Sequence, residues 1–310
     1  MTTIAFTEDV MTDYSFVSRT PIYKVHKLNR EEFNDYKKCL TNLIQISKFE
    51  ELYDQIVQSH LEYKTFLYES LIKFSSMNGL LENQSYDYKL KANRLLCSTL
   101  NFAKFYLDKS YKEERSFISK LTGNKQNNRS VKLIRERLFN ESDAYAIGES
   151  LRNYAQHHSL LIDSFTFGFH EKTLLFYSCL DKNKFTTFIR ARGQSKATLD
   201  RLLNAVEKNC YQEKGVDLHK VIDEFVYSIG KIHEHNREEY RGIIADSYSK
   251  LDQLVNVFPE SKYYELKEGE TRIIMNFKRI KRTIDYICQK QAFTIPFHLF
   301  ETTTYPPNKV

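Results

Sequence analysis

The chain has 310 residues, enough to bury a large core, and its 41% apolar and 28% charged residues argue against a disordered protein. Nine Gly and five Pro provide few turn signals, which favours long helices over many short strands. The 46 basic and 40 acidic residues give a formal net charge of +6, which permits a nucleic-acid partner without requiring one.

The cysteine pattern and the N-terminal segment indicate a cellular compartment. The five Cys are scattered and include no Cys-x-x-Cys pair, so we expect free thiols of a reducing compartment and no zinc site. The segment MTTIAFTEDV carries acidic side chains early and has no apolar core, which argues against a signal peptide. No apolar run reaches the roughly 18 residues of a membrane span, so we expect a cytoplasmic protein with no membrane partner.

Helical spacing of apolar residues dominates the first part of the chain. Residues 1–28 are predicted to form an N-terminal extension, in which weak alternation of apolar and polar residues favours short strands. Asn29 is a predicted N-cap, followed by acidic residues that suit the first turn of a helix. Helices are predicted from there to about residue 44, over about 49–74 and over about 86–121, before a polar loop at 122–129.

The middle of the chain changes from helical to strand periodicity. Two helices are predicted over about 131–139 and 142–157, with Ser142 as the N-cap of the second. Apolar residues then recur at every second position among strand-forming residues. This change predicts a β-hairpin at about 164–180.

The last part of the chain returns to helical spacing. Helices are predicted over about 196–210, 217–257 and 270–290, followed by an irregular C-terminal tail at 293–310. The sequence contains no repeat and no Gly- or Pro-rich linker. It therefore predicts a mainly α fold, with one helical domain over 29–292 that carries the hairpin as an insert.

The helix predicted over 142–157 ends in a group of chemically useful side chains. Glu149, Asn153 and His157 lie on one face at steps of four residues. Arg152 lies beside that row, and its long side chain can turn towards His157. The apolar stripe of the same helix is expected to face the core. Carboxylate, guanidinium, amide and imidazole are thus offered together near one helix end.

This combination fits the metal-independent cleavage of a phosphodiester. An imidazole, with an ordinary pKa of about 6.5, can take or give a proton near neutral pH. A guanidinium can hold a phosphate as negative charge develops on it, and an RNA 2′-hydroxyl would supply the nucleophile and leave a 2′,3′-cyclic phosphate. The alternative is that Arg152 and His157 are solvated residues of a helix face, with His157 and His158 favoured by the helix dipole.

The segment Leu151–His157 (Leu-Arg-Asn-Tyr-Ala-Gln-His) resembles the Arg-x4-6-His signature of the HEPN superfamily, in which a polar residue, often Asn, commonly follows the Arg. The resemblance implies a helical bundle that forms a homodimer and brings two copies of the motif into a shared cleft. It also implies a metal-independent endoribonuclease of toxin–antitoxin or phage-defence systems, with an antitoxin or another defence protein as partner. By this resemblance Arg152 and His157 are catalytic and Asn153 supports them. The further supporting residues are Glu149, Tyr154 and His158.

Two basic stretches are further candidates for RNA binding. The first is Arg190, Arg192 and Lys196, which follows Phe185 and Phe188, and the second is Lys278, Arg279, Lys281 and Arg282. Cations can hold RNA phosphates while an aromatic ring stacks on a base. The alternative is a solvated connector in the first case and a solvated helix face in the second.

Other kinds of site have weaker support in the sequence. His233-Glu234-His235 lacks the H-E-x-x-H spacing, and side chains two residues apart on a helix diverge, so no metal site is predicted. Glycine-rich phosphate loops and a nucleophile elbow are missing, and no cofactor is expected. The leading prediction is a HEPN-like ribonuclease. The alternatives are a catalytically inactive helical module that binds RNA or protein, and a purely structural interaction protein.

Overall fold

The computed structural model of the chain is mainly helical, as the sequence predicts. It describes residues 14–18, 24–76, 82–111, 116–123, 127–170, 173–211, 215–261 and 264–275, with Arg279, Ile280, Arg282 and Asp285. The helices among these residues are α1 (Arg30–Ser76), α2 (Glu82–Tyr111), α3 (Phe117–Thr122), α4 (Asn127–Glu141), α5 (Asp143–His157), α6 (Lys182–Ala191), α7 (Lys196–Lys208) and α8 (Leu218–Val255). The strands are β1 (Tyr14–Ser18), β2 (Lys24–Leu28), β3 (Ser164–His170), β4 (Thr173–Asp181), β5 (Cys210–Tyr211), β6 (Gly215–Asp217), β7 (Tyr264–Glu268) and β8 (Thr271–Met275). None of the described helices combines the length and the apolar character needed to cross a bilayer.

The described residues divide into two compact units. The smaller unit consists of residues 14–48 and 240–285, and the larger unit consists of residues 49–239. The smaller unit contains a four-stranded sheet in the order β2-β1-β7-β8, and the larger unit contains one in the order β3-β4-β6-β5. The helices α1 and α8 supply residues to both units. A single domain over 29–292 stays a prediction.

In the smaller unit, the strands expected before residue 29 are present and belong to a sheet. Strand β1 pairs antiparallel with β2 on one side and with β7 on the other. The helix predicted over about 270–290 is wrong at its start, because β7 and β8 form a hairpin there. Its turn contains Gly269 at a φ of 58°, a conformation that glycine adopts without steric penalty. The four described residues between 279 and 285 have helical backbone, and the tail at 293–310 lies outside the described residues.

The first helix begins at the predicted N-cap and is longer than predicted. The Asn29 side-chain oxygen accepts a hydrogen bond from the Glu32 backbone N–H at 2.9 Å, and the Glu32 carboxylate accepts one from the Asn29 N–H at 2.9 Å. The helix continues to Ser76, where the sequence pattern predicts two helices. Ile46 and Phe49 are both buried near the predicted break, so apolar packing is maintained through it.

In the larger unit, α5 is surrounded by other helices. It contacts α2, α4, α6 and α7. Ala144, Ile147 and Leu151 are fully buried, as the apolar stripe of this helix predicts. On α8, the ring of Phe225 approaches the helix at Gly148, where an added Cβ would lie 2.3 Å from that ring. The packing therefore fixes α5 on several sides, while its C-terminal end is exposed.

The predicted hairpin is confirmed by β3 and β4, which pair antiparallel from Ser164 opposite Cys179 to His170 opposite Thr173. Helices α5, α7 and α8 begin and end within two residues of their predicted bounds. The helix predicted over 86–121 is divided into α2 and α3, and the loop predicted at 122–129 is shorter because α4 begins at Asn127.

Helix α6 is a feature that the sequence analysis does not predict. The Asp181 carboxylate caps it by accepting a hydrogen bond from the Lys184 backbone N–H at 2.8 Å. Phe185 and Ile189, four residues apart, are its buried residues. A helix of ten residues with so short an apolar pattern is hard to separate from a connector by sequence alone. Consequently Arg190 lies on a helix and not in a loop.

Candidate functional site

The candidate site is built on α5, whose start is fixed by local capping. The Ser142 hydroxyl accepts a hydrogen bond from the Tyr145 backbone N–H at 3.1 Å. Asp143 in the first turn pairs with Arg201 of α7. An acidic residue there also suits the positive end of the helix dipole. The helix ends at His157, as predicted, so the candidate residues occupy its last turns.

Arg152 is buried against Glu149. The sequence analysis predicts that its side chain can turn towards His157, but in the structure it does not. The residue is only 6% exposed. Its Nη2 lies 3.5 Å from the Glu149 Oε2, one turn earlier on the same helix. Its Nε and Nη1 are buried and have no hydrogen-bond partner. No hydrogen bond or ion pair between Arg152 and His157 occurs in the described structure.

The Glu149 carboxylate is shared by two guanidinium groups and a phenol. Its Oε1 accepts hydrogen bonds from the Arg135 Nη2 at 2.7 Å and from the Tyr145 hydroxyl at 3.0 Å. The Arg135 Nε also donates to that hydroxyl oxygen at 3.1 Å. We call these three residues and Arg152 the Glu149 cluster. The carboxylate therefore faces the cluster and does not orient His157.

The electrostatics of the Glu149 cluster favour a charged carboxylate. Burial alone would raise the pKa of Glu149, but the charges of Arg135 and Arg152 and the hydrogen bonds outweigh it, so the pKa lies below its ordinary value. Burial and the nearby carboxylate raise the pKa of Tyr145, which stays a neutral hydrogen-bond donor. The cluster thus contains two guanidinium groups and one carboxylate, an excess of one positive charge.

Asn153 is engaged by the backbone of its own helix. Its Nδ2 donates a hydrogen bond to the Glu149 carbonyl oxygen at 2.9 Å. This interaction between residues four apart is common for short polar side chains in helices. The amide nitrogen therefore supports the helix in this structure, and its predicted role beside the phosphate stays a prediction.

The two histidines at the end of α5 are exposed, and one of them contacts aromatic rings of α6. The ring centroid of His158 lies 4.9 Å from that of Tyr154 and 5.7 Å from that of Phe188. Tyr154 is buried and meets the rings of Phe185 and Phe188 edge-on. Tyr154 therefore anchors the end of α5 to α6, while His157 and His158 stay exposed to solvent.

The structure places Arg192 of the first basic stretch next to the ring that contacts His158. The Arg192 guanidinium lies 5.8 Å from the centroid of the Phe188 ring, on the same helix end that contacts His158. Arg190 near the end of α6 and Lys196 at the start of α7 are both exposed. Two regions that are well separated in sequence thus form one surface with imidazole, aromatic and guanidinium groups.

A further cation comes from α2 and has no sequence signal. The Lys104 Nζ donates a hydrogen bond to the Gln156 side-chain oxygen at 2.6 Å, and the Gln156 Nε2 donates to the Asn101 oxygen at 3.1 Å. A lysine inside a long amphipathic helix is ordinary, so only the tertiary contact identifies it. Lys104 contacts the exposed end of α5 through Gln156, and Phe188 with Arg192 contacts it through His158. We call Lys104, Gln156, His157, His158, Phe188 and Arg192 the histidine surface.

The second basic stretch lies in the smaller unit. Arg279 and Arg282 are exposed, and Lys278 and Lys281 lie outside the described residues. Their predicted contact with RNA stays a prediction.

The histidines considered for a metal site have separate partners. The His233 Nε2 lies 3.1 Å from the Glu50 Oε2, and the His235 Nε2 lies 3.1 Å from the Ser130 hydroxyl. The two rings diverge, as their spacing on α8 predicts. In the part of the chain that the structure describes, no three His, Cys, Asp or Glu residues are grouped so that they could hold a metal ion.

Comparison of the chain with protein-family models, with curated proteins and with solved structures finds no match.

Proposed function

We propose that the chain binds RNA at the histidine surface and cleaves it without a metal ion, as a HEPN-like endoribonuclease. The observation that carries the proposal is the position of the exposed His158 imidazole, which follows the exposed His157 and lies 5.7 Å from the Phe188 ring of α6, a ring that also contacts the Arg192 guanidinium just after that helix. In this proposal Arg192 and Lys104 bind phosphates, while Phe188 contacts a base. His157 performs the proton transfer.

The proposed reaction needs both a base and an acid. His157 takes the proton of the 2′-hydroxyl, and the 2′-oxygen attacks the adjacent phosphorus. The bond from phosphorus to the 5′-oxygen breaks, which leaves a 2′,3′-cyclic phosphate and a 5′-hydroxyl. Because the leaving oxygen needs a proton in the same step, a second imidazole is required. His158 of the same surface supplies it, or His157 of a second copy does so in the homodimer that the HEPN resemblance implies.

Arg152 is assigned to the charge that develops on the phosphate, with Asn153 beside it. A guanidinium that donates two hydrogen bonds to the phosphate oxygens stabilises the transition state more than the ground state. Arg152 is buried against Glu149, so its side chain must leave that carboxylate to reach RNA.

A second candidate function is a helical module that binds RNA or protein without cleaving it. The observation that favours it is the same burial of Arg152, because a guanidinium that remains paired with Glu149 cannot stabilise a transition state. The histidine surface would still offer cations and an aromatic ring to a partner.

The HEPN resemblance connects the proposed ribonuclease with toxin–antitoxin or phage-defence systems. An antitoxin or another defence protein that covers the histidine surface would then block access of RNA to His157.

The proposal is tested by incubating the purified chain with a fluorescent single-stranded RNA in the presence of EDTA. We expect cleavage by the wild type, and a rate at least about 100-fold lower for His157→Ala, since acid–base catalysis contributes about 10²–10⁴-fold. Arg152→Ala is expected to lose activity as well. His26→Ala is the matched control, because His26 is an exposed histidine on β2 of the smaller unit, whereas α5 belongs to the larger unit.

The products and variants separate the candidates. Mass spectrometry should find a 2′,3′-cyclic phosphate, and a 2′-O-methyl group at the cleaved nucleotide should prevent the reaction. Cleavage that both His157→Ala and Arg152→Ala leave unchanged would reject the proposed site. RNA binding without any cleavage would support the binding module instead.

A further inference from the structure

The three contacts of the Glu149 carboxylate are unequal. Arg135 and Tyr145 both donate to Oε1, at 2.7 Å and 3.0 Å. Arg152 is 3.5 Å from Oε2, whereas a charge-assisted hydrogen bond between nitrogen and a carboxylate is usually about 2.7–2.9 Å long. Arg152 is therefore the most weakly held of the three donors.

The buried guanidinium of Arg152 is also poorly satisfied. Its Nε and Nη1 are buried without a hydrogen-bond partner. A buried donor without a partner lowers stability, and the effect is larger when the donor is charged. A ligand that accepts hydrogen bonds from these two groups would therefore remove the free-energy cost of the unpaired donors and add the favourable free energy of new hydrogen bonds.

When Arg152 is released, the negative charge of the Glu149 carboxylate still has partners. Arg135 and Tyr145 remain on Oε1, so the charge of Glu149 stays compensated by one guanidinium and one hydroxyl. The excess positive charge of the cluster moves away with Arg152. The exchange of a carboxylate for a phosphate thus leaves no buried charge unpaired.

The distance along the helix suits such an exchange. Four residues lie between Arg152 and His157, so the two positions are about 7.5 Å apart along the helix axis and about 140° apart around it. A guanidinium on a long flexible side chain can cover this distance.

We propose that Glu149 is a positioning residue that holds Arg152 in the buried position until an RNA phosphate takes its place. The inference rests on the proposed function and specifies how RNA gains access to Arg152. A phosphate must compete with the Glu149 carboxylate for the Arg152 guanidinium. Arg135 and Tyr145 donate to the same carboxylate and so weaken its interaction with Arg152.

Two substitutions at the same ion pair distinguish positioning from structural support. Glu149→Gln removes the negative charge but keeps an oxygen that can accept hydrogen bonds from Arg135 and Tyr145. Arg135→Gln removes the competing guanidinium, so Arg152 shares the carboxylate with the neutral Tyr145 hydroxyl. Both variants lose the ion pair between Arg135 and Glu149, so both are expected to unfold at a lower temperature. Tyr145→Phe is a milder change that also removes a donor competing with Arg152 for Glu149. It replaces Arg135→Gln in the experiment if that variant does not fold.

The two variants are expected to change RNA binding in opposite directions. Glu149→Gln should bind single-stranded RNA about fivefold more tightly, the size expected for one ion pair, and Arg135→Gln should bind it more weakly. The slope of log Kd against log salt concentration should steepen by about 0.7 in Glu149→Gln, because Arg152 adds one phosphate contact. Adding Arg152→Ala to Glu149→Gln should abolish both effects.

A second measurement needs no RNA. Phenylglyoxal modifies accessible arginine side chains, and peptide mass spectrometry then reports the modification rate of Arg152. We expect a faster rate in Glu149→Gln and a slower rate in Arg135→Gln and Tyr145→Phe. Rates that rise in all three variants would indicate loosened packing and overturn the inference, as would unchanged rates. The modification rate of Arg152 could rise in Glu149→Gln and fall in the other two variants while the protein does not bind RNA. That result would support the positioning role of Glu149 and reject the proposed function.

Discussion

The buried Glu50 and the half-buried Glu149 of the larger unit differ in how completely the hydrogen bonds of their arginine partners are satisfied. Glu50 binds Arg237 through both oxygens, with the Arg237 Nε 2.8 Å from Oε1, and it also contacts His233. Both ring nitrogens of His233 have partners, since the Tyr106 hydroxyl lies 2.9 Å from its Nδ1. Glu149 holds Arg135 firmly but holds Arg152 by one long contact.

The difference separates a structural network from a candidate functional one. In the network of Glu50, the guanidinium is bidentate and the ring of His233 also stacks on Tyr53 at 3.9 Å between centroids. Such an arrangement has little to gain from a ligand. Arg152 retains two buried donors without partners, and this is the property expected of a group that binds something else.

The largest expected effect is a contrast in stability between Arg237→Ala and Arg152→Ala. Removal of Arg237 leaves the charge of Glu50 buried without its guanidinium partner, which should lower the free energy of unfolding by about 3–5 kcal/mol. Removal of Arg152 should lower it by about 1 kcal/mol or less, because its contact is long and Glu149 keeps two donors. Urea denaturation measures both values. Equal losses would remove the distinction drawn between the two carboxylates.

A smaller loss of stability is expected when the pH is lowered. The pKa of Glu50 is lowered to about 2, because the hydrogen bonds and charges of Arg237 and His233 outweigh the opposing effect of burial. Between pH 4.5 and about 2 the unfolded chain binds a proton at this group and the folded chain does not, so stability is lost as pH falls. The full contribution is about 3 kcal/mol.

The histidine of the same network adds to this acid sensitivity at higher pH. Burial lowers the pKa of His233 below its ordinary value of 6.5, so the unfolded chain gains a proton first as pH falls. We expect the free energy of unfolding to decrease from pH 6.5 downwards. In Glu50→Gln the further decrease below pH 4.5 should be smaller than in the wild type. A parallel decrease in both proteins would contradict the assignment to Glu50.

The smallest effect is expected at the exposed surface. Arg192→Gln should weaken binding of single-stranded RNA a few-fold and make it less sensitive to salt, because one phosphate contact is lost. The free energy of unfolding should change by less than about 0.5 kcal/mol, since Arg192 is exposed. Glu51→Gln, at another exposed position, is the control for unspecific charge effects. Unchanged RNA affinity in Arg192→Gln would remove α6 from the proposed surface.

Local sequence signals were sufficient for α5 and the hairpin. Ser142 is a strong N-cap, and the apolar stripe through Ile147 and Leu151 continues to the predicted end of the helix. At residues 264–275 the sequence pattern did not distinguish strands from a helix, because the segments on both sides of the turn at Gly269 mix charged and apolar residues. The pairing of β7 with β1, which lies far away in the sequence, decides the outcome there.

The environment of the candidate residues depends on contacts that the motif does not encode. On a helical wheel Arg152 lies between the buried stripe and the polar row, so either direction is compatible with the sequence. Arg135 of α4 fixes the position of Glu149, and Phe188 of α6 lies against His158. These partners come from other helices, and only tertiary packing brings them together.

The absence of a side chain at Gly148 has a mechanical consequence for the distant end of α5. Because the Phe225 ring lies where a Cβ would stand, a residue with a side chain could not keep α5 this close to α8. We expect a bulkier residue at position 148 to displace α5 from Phe225, and with it the two imidazoles at the C-terminal end of the helix.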